Sequence, residues 1–127
     1  MYNYYLTRNK ENDMKNYQNI IIDRINEEVL RVCELVPMDG RKSFNGRCKV
    51  IETRDRVYLL SYETIVCYWD NNTNKFGKLW NEYSATTMRH INSFMTWLGF
   101  PGLGGKKWWE SLNYGFEYTV SELINIV

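Results

Sequence analysis

The sequence is nearly without alanine; Ala85 is the only one. It also has one histidine, two prolines and three cysteines in 127 residues. Each scarcity excludes something. A lone histidine, His90, cannot form a His–His pair on one helix face, so the commonest zinc spacings are closed to this chain. Cys33, Cys48 and Cys67 are odd in number and lack any C-x2-C spacing, so they are not a disulfide framework. They read as reduced, buried thiols. The alternative is a zinc site joining the three thiols to His90, which no local spacing preorganises. Long apolar runs are missing too: "IVCYW" and "NIII" are far shorter than the roughly 18 residues of a membrane span. The leading "MYNYYLTRNKEND" is polar and aromatic, without a signal-peptide core, so a cytoplasmic protein with no membrane partner is expected. Nor is charge of one sign in excess. Lys and Arg number 16 against 15 Asp and Glu, a net charge of +1. A domain that wraps nucleic acid by bulk charge is far more basic, so only local basic patches remain to be considered.

Aromatic residues are plentiful, with ten Tyr and five Trp. Abundant Asn, Ile, Tyr and Lys with so little Ala is the pattern of an AT-rich genome, such as a low-GC bacterium or its phage. The length suits one domain over residues 1–127, with residues 1–12 as a flexible N-terminus.

Residues 13–36 carry the clearest helical pattern. Asp13 is placed to cap it. Met14, Tyr17, Ile21, Ile25, Val29, Val32 and Val36 recur at spacings of three and four, and Pro37 stops the run. One long core-packing helix is expected, with a coiled-coil or partner-binding helix as the alternative. A β region follows. Asn45-Gly46 signals a two-residue hairpin joining "RKSF" to "RCKVIET". "RVYLLSYETIVCYW" reads as one long strand or two short ones, "DNNTN" as a turn and "KFGKLW" as the next strand. Ser84 is a favoured N-cap for a helix whose Met88, Ile91, Met95 and Leu98 share a face, and which ends at Gly99. "KKWWESLNY" is a second short helix, and "FEYTVSELINIV" fits a strand, a helix or both. The expected fold is α+β: a long N-terminal helix packed on a roughly three- to five-stranded antiparallel sheet, followed by two shorter helices.

"DGRKSFNGRCKVI", "LLSYETIVCYWD" and "LWNEYSATTMRHINSF" resemble an uncharacterised family of small proteins from Firmicutes and their phages. Its pattern runs GRKSFxGKxxV, SYxTxV, W and YSxTTxRHxxxF, over residues 37–95 of this chain. The last motif is the most specific. Asn45 departs from the pattern, which has an aromatic there. The family has no assigned activity, so the resemblance implies a phage or mobile-element origin and no mechanism. Small phage proteins often act by binding host machinery.

Catalysis would have to be built on His90, with Ser84, Thr86, Thr87, Cys48 or Cys67 as nucleophile and Glu82 or Asp70 orienting the ring. No elbow or family signature surrounds any of them. The simpler reading is a histidine held by a neighbour at the start of a helix, where Arg89 and His90 remain available to an anionic ligand or partner. The carboxylates form no cluster of the kind that holds Mg²⁺. Basic residues are more suggestive. Arg41, Lys42, Arg47 and Lys49 fall on the expected hairpin with Phe44 near its tip. An exposed Phe44 would stack a base while the charges track phosphates; the alternative is a solvated hairpin with Phe44 packed inward. "GLGGKKWW" combines close backbone approach with Lys106 and Lys107, a recipe for holding an anion, although it is not a Walker A sequence. Trp108 and Trp109 cannot share one helix face, so one of them is expected at the surface as an anchor. The alternative is a linker between core helices.

These features together predict a non-enzymatic binding protein that uses no cofactor or metal. The expected role is inhibition of a host defence system, through Arg41, Lys42, Phe44, Arg47, Lys49, Arg89, His90, Lys106, Lys107, Trp108 and Trp109. The partner would be a host protein or nucleoprotein such as a CRISPR effector, or a phosphate-bearing nucleotide signal. A small nucleic-acid-binding regulator is the second reading and a His90-dependent enzyme the third.

Overall fold

The computed structural model describes residues 10–40, 42–101 and 104–125. Six strands form one antiparallel sheet in sequence order: β1 Val29–Glu34, β2 Cys48–Thr53, β3 Arg56–Ser61, β4 Thr64–Asp70, β5 Lys75–Lys78 and β6 Glu117–Tyr118. Helix α1, Lys10–Glu28, precedes the sheet. Helices α2, Ala85–Trp97, and α3, Lys106–Ser111, lie between β5 and β6, and α4, Val120–Asn125, closes the described chain.

This corrects the expected architecture in three places. The sheet has six strands, more than the three to five expected. Three helices follow β5, where two were expected. The N-terminal helix is already under way at Asp13 and ends at Glu28, not at Val36. Near the end of the expected helix, Val29–Glu34 is instead the edge strand β1, paired antiparallel with β2 through Val32–Ile51 and Cys33–Val50. "VLRVCE" is short, and Val29 and Val32 are β-branched residues, which lose rotamer freedom in a helix and fit a pleated surface. Over so few residues, spacings of three and four do not separate a helix from a strand.

The Asn45-Gly46 signal is real but serves a different purpose. Asn45 and Gly46 both adopt positive φ, 58° and 72°, as a type I′ turn requires. They turn the chain inside the long β1–β2 connection, where Arg47 N–H donates to Phe44 C=O at 3.1 Å. Residues 42–44 are not a strand, and the partner of β2 is β1. Further on, "RVYLLSYETIVCYW" becomes two strands, β3 and β4, joined by the two-residue loop Tyr62–Glu63.

Alternation along the strands sends side chains to both faces. On one face Val50, Leu59, Cys67 and Phe76 pack with Ile91, Phe94 and Met95 of α2, Trp108 and Trp109 of α3, and Leu123 of α4. On the other, Ile21, Ile22 and Ile25 of α1 meet Tyr58, Ile65, Tyr68 and Leu79. The Gln18 amide fixes α1 there, donating to the carbonyls of Ile65 and Leu79 at 3.0 and 3.1 Å and accepting from Ile65 N–H at 2.9 Å. These are backbone groups where β4 runs past the end of β5.

Candidate functional site

Helix α2 begins as its sequence dictates. Ser84 is extended and its side chain accepts from Thr87 N–H at 3.0 Å, satisfying one of the helix's orphan donors. The helix closes with Gly99 N–H donating to Thr96 C=O and Phe100 N–H to Met95 C=O, the paired bonds of a Schellman motif. This fixes the first turn of α2 against the end of β3, with Thr87 and His90 facing inward.

His90 is buried, with 1% of its surface exposed. Its Nδ1 shares a 2.7 Å hydrogen bond with Ser61 Oγ, and that hydroxyl shares another with Thr87 Oγ1 at 3.0 Å. Ser61 is 2% exposed. Phe44 lies edge-on to the imidazole at 4.4 Å between centroids, and Tyr62 lies on it at 5.6 Å. Burial, with the neighbouring Arg89 charge, lowers the His90 pKa from 6.5 to about 4. At neutral pH the ring is therefore uncharged and accommodated in the core. Ser61 was not among the nucleophiles considered from sequence. It lies 29 positions before His90, and only the packing of α2 on β3 joins them. A serine and a histidine in hydrogen-bond contact resemble a nucleophile and its base. Here the third partner is Thr87, and both hydroxyls and the ring are closed off from solvent.

Around this buried centre the expected site residues divide. Phe44 is 5% exposed and fills the space over His90. It is not a base-stacking surface; the inward alternative is the one realised, because the 42–47 segment folds over α2. Arg89 pairs with Asp39, Nε to Oδ2 at 3.1 Å, and its guanidinium lies 5.0 Å from the Phe44 ring centroid. Lys42, Arg47 and Lys49 are exposed, and no ion pair among the described residues involves them. Arg41 lies outside the described residues.

Tyr62 supplies the exposed aromatic that sequence reasoning had sought at Phe44. It is 46% exposed, the Arg47 guanidinium lies 5.7 Å from its ring centroid, and its N–H donates to Arg47 C=O at 2.7 Å. Its φ is +57°, at the first position of a two-residue hairpin loop where glycine is the unstrained choice. The signal was available in "SYET": a tight turn without glycine between two apolar runs.

Lys106 and Lys107 are exposed at the start of α3, Lys106 Nζ lying 5.7 Å from the Tyr83 ring. Among the described residues, no hydrogen bond, ion pair or ring contact joins them to the Arg47–Tyr62 surface. Neither tryptophan is a surface anchor. Trp108 and Trp109 are 4% and 1% exposed, and their indole N–H groups donate to Leu123 C=O and Glu82 C=O. The expectation that one would be exposed fails because α3 is embedded, with α2, α4 and the sheet taking different sides of it. Lys78, unremarked in the sequence, is 2% exposed and donates from Nζ to the carbonyls of Trp109 and Leu112 at 2.8 and 3.0 Å. It satisfies the Leu112 carbonyl at the end of α3 and is a second donor to that of Trp109, which also accepts from Leu112 N–H at 3.2 Å.

The thiols do not join His90 in a metal site. Among the described residues no three His, Cys, Asp or Glu side chains are grouped to hold an ion. Burial pushes the Cys48 thiol up to about 12, and Cys67 rises for the same reason, so neither is a nucleophile at neutral pH. No helix among the described residues is long and apolar enough to cross a membrane.

The fold and site thus define a small antiparallel-sheet protein with a sealed polar centre and, beside it, an exposed Tyr62 under the Arg47 guanidinium. Residues 33–111, more than half of the chain, match a family of unknown function (DUF8033), and the chain belongs to that family. No curated protein and no solved structure matches it.

Proposed function

We propose that this chain is a non-enzymatic binding protein that docks on an anionic macromolecular surface through Lys42, Arg47, Lys49 and Tyr62. One observation carries the reading: Tyr62 is exposed at positive φ with the Arg47 guanidinium over its ring, and Lys42 and Lys49, close by in sequence to Arg47, are exposed with no ion pair among the described residues. Strained backbone persists where the surroundings enforce it, and such outliers cluster at functional positions. The burial of Ser61 and His90 supports a binding role over a hydrolytic one. The resemblance to small Firmicute and phage proteins supports a target in host defence, such as a CRISPR effector or another nucleoprotein.

The test is capture from a Firmicute lysate, with and without nuclease, followed by mass analysis of retained proteins and nucleic acids. The wild-type chain retains a nuclease-resistant protein partner that the folded Lys42→Glu/Arg47→Glu/Lys49→Glu variant loses. Retention of nucleic acid alone, weakening steeply with salt, would favour a nucleic-acid-binding regulator instead. Identical retention by both baits would overturn docking through Lys42, Arg47 and Lys49.

A further inference from the structure

Five of the exposed large apolar side chains, Val29, Leu30, Val32, Val36 and Met38, fall within ten consecutive residues on and just after β1. Leu30 is 73% exposed and Val32 55%. Such a concentration on a monomer marks an interaction surface. The two edges of the sheet are also unequal. At one, β6 is two residues long, a short edge that offers little to pair with. At the other, β1 is six residues long. Leu35 N–H donates inward to Cys48 C=O, so by strand alternation the backbone groups of Val32 and Glu34 point away from the sheet.

We propose that β1 is a homodimer interface, in which two copies pair β1 against β1 antiparallel about a two-fold axis at Val32. The edge is self-complementary in this register, as an isologous contact requires. Val32 meets Val32 of the second copy. Within one chain Val32 pairs with Ile51 and Ile51 with Tyr58, so the contact continues one apolar row across both sheets. Leu30 faces Glu34 and Arg31 faces Cys33, leaving no like charges opposed. A two-fold centred on Arg31 would set arginine against arginine and Glu28 against Glu34, which is unfavourable. The register shift between Val29 and Arg31 lies at the start of the strand and leaves 31–33, the centre of the two-fold pairing, regular.

Sedimentation velocity of the full chain over a concentration series tests this. The wild type sediments as a dimer that dissociates reversibly on dilution. Val32→Glu, which sets two carboxylates against each other at the axis, is monomeric throughout with an unchanged circular dichroism spectrum. A second variant does not depend on that substitution folding. Directly opposed antiparallel residues have Cα atoms about 4.5–5.5 Å apart, within disulfide range. Cys33→Ser/Val32→Cys therefore crosslinks to a covalent dimer on mild oxidation, and Cys33→Ser/Thr86→Cys, exposed on α2, does not. A wild type that stays monomeric would assign the edge to a strand of another protein and overturn the inference. A Val32→Glu chain that remains dimeric, or equal crosslinking from positions 32 and 86, would overturn it too.

Discussion

Mild acid should destabilise this protein through one residue. His90 is the only histidine, so no other side chain of ordinary pKa titrates between pH 5 and 7. Its pKa is 6.5 when unfolded and about 4 in the fold, where burial and Arg89 oppose its charging. The folded state thus binds the proton less readily than the unfolded one. Stability is fully present above pH 6.5 and falls as the pH drops towards 4. At about 1.4 kcal/mol per decade the whole window is worth about 3 kcal/mol, of which about 2 is lost by pH 5. That is a large part of the stability of a domain this size. Urea unfolding at pH 7, 6 and 5 measures it, with His90→Gln as control because its amide still offers Ser61 a partner. The wild type should lose about 2 kcal/mol over this range, and the variant much less. A wild type equally stable at pH 7 and pH 5, or a variant with the same slope, would show that His90 is not the sealed, neutral group described.

Other substitutions follow from the same contacts. Ser61→Ala leaves Thr87 and His90 without their shared partner and should cost about 1–3 kcal/mol in thermal or denaturant unfolding. Lys78→Met strands the carbonyl of Leu112, takes one of two donors from that of Trp109, and should cost about 1–3 kcal/mol, with the loss of near-ultraviolet tryptophan signal as α3 loosens. In Gly77→Ala the new Cβ would sit 2.2 Å from the Tyr68 ring, forcing that ring away from Arg56 and costing at least about 2 kcal/mol. Exchange of Lys106 and Lys107 for glutamate should leave partner capture unchanged, since they lie outside the Arg47–Tyr62 surface.

Local signals in the sequence proved the most legible. Ser84 capped its helix as expected because a cap needs only its own turn. The strands at "RVYLL", "TIVCYWD" and "KFGK" declared themselves through β-branched and aromatic residues bounded by turns. Val29–Glu34 did not, because its apolar spacing continued that of α1 and only the free edge of β2 decides for a strand. The same limit governed the site. Whether Phe44 points inward depends on a loop folding back over α2, and whether both tryptophans are buried depends on α4, which arrives at the end of the chain. Ser61 and His90 meet only through tertiary packing, so no spacing could announce them. Tyr62 could have been noticed, since a two-residue hairpin loop without glycine places a side chain at positive φ.

If the Arg47–Tyr62 surface serves binding and not stability, as we propose, Tyr62→Gly separates the two. Relief of the positive φ gains about 1–2 kcal/mol, against about 0.5–1 for added chain entropy, about 0.5 for the lost Arg47 contact and about 0.5–1.5 for the lost ring packing on His90, so stability falls by at most about 2 kcal/mol. The decisive measurement is the amount of partner retained from nuclease-treated lysate by Tyr62→Gly relative to wild type, at matched stability. A fall of several-fold or more is expected. Undiminished retention by the folded variant would contradict it.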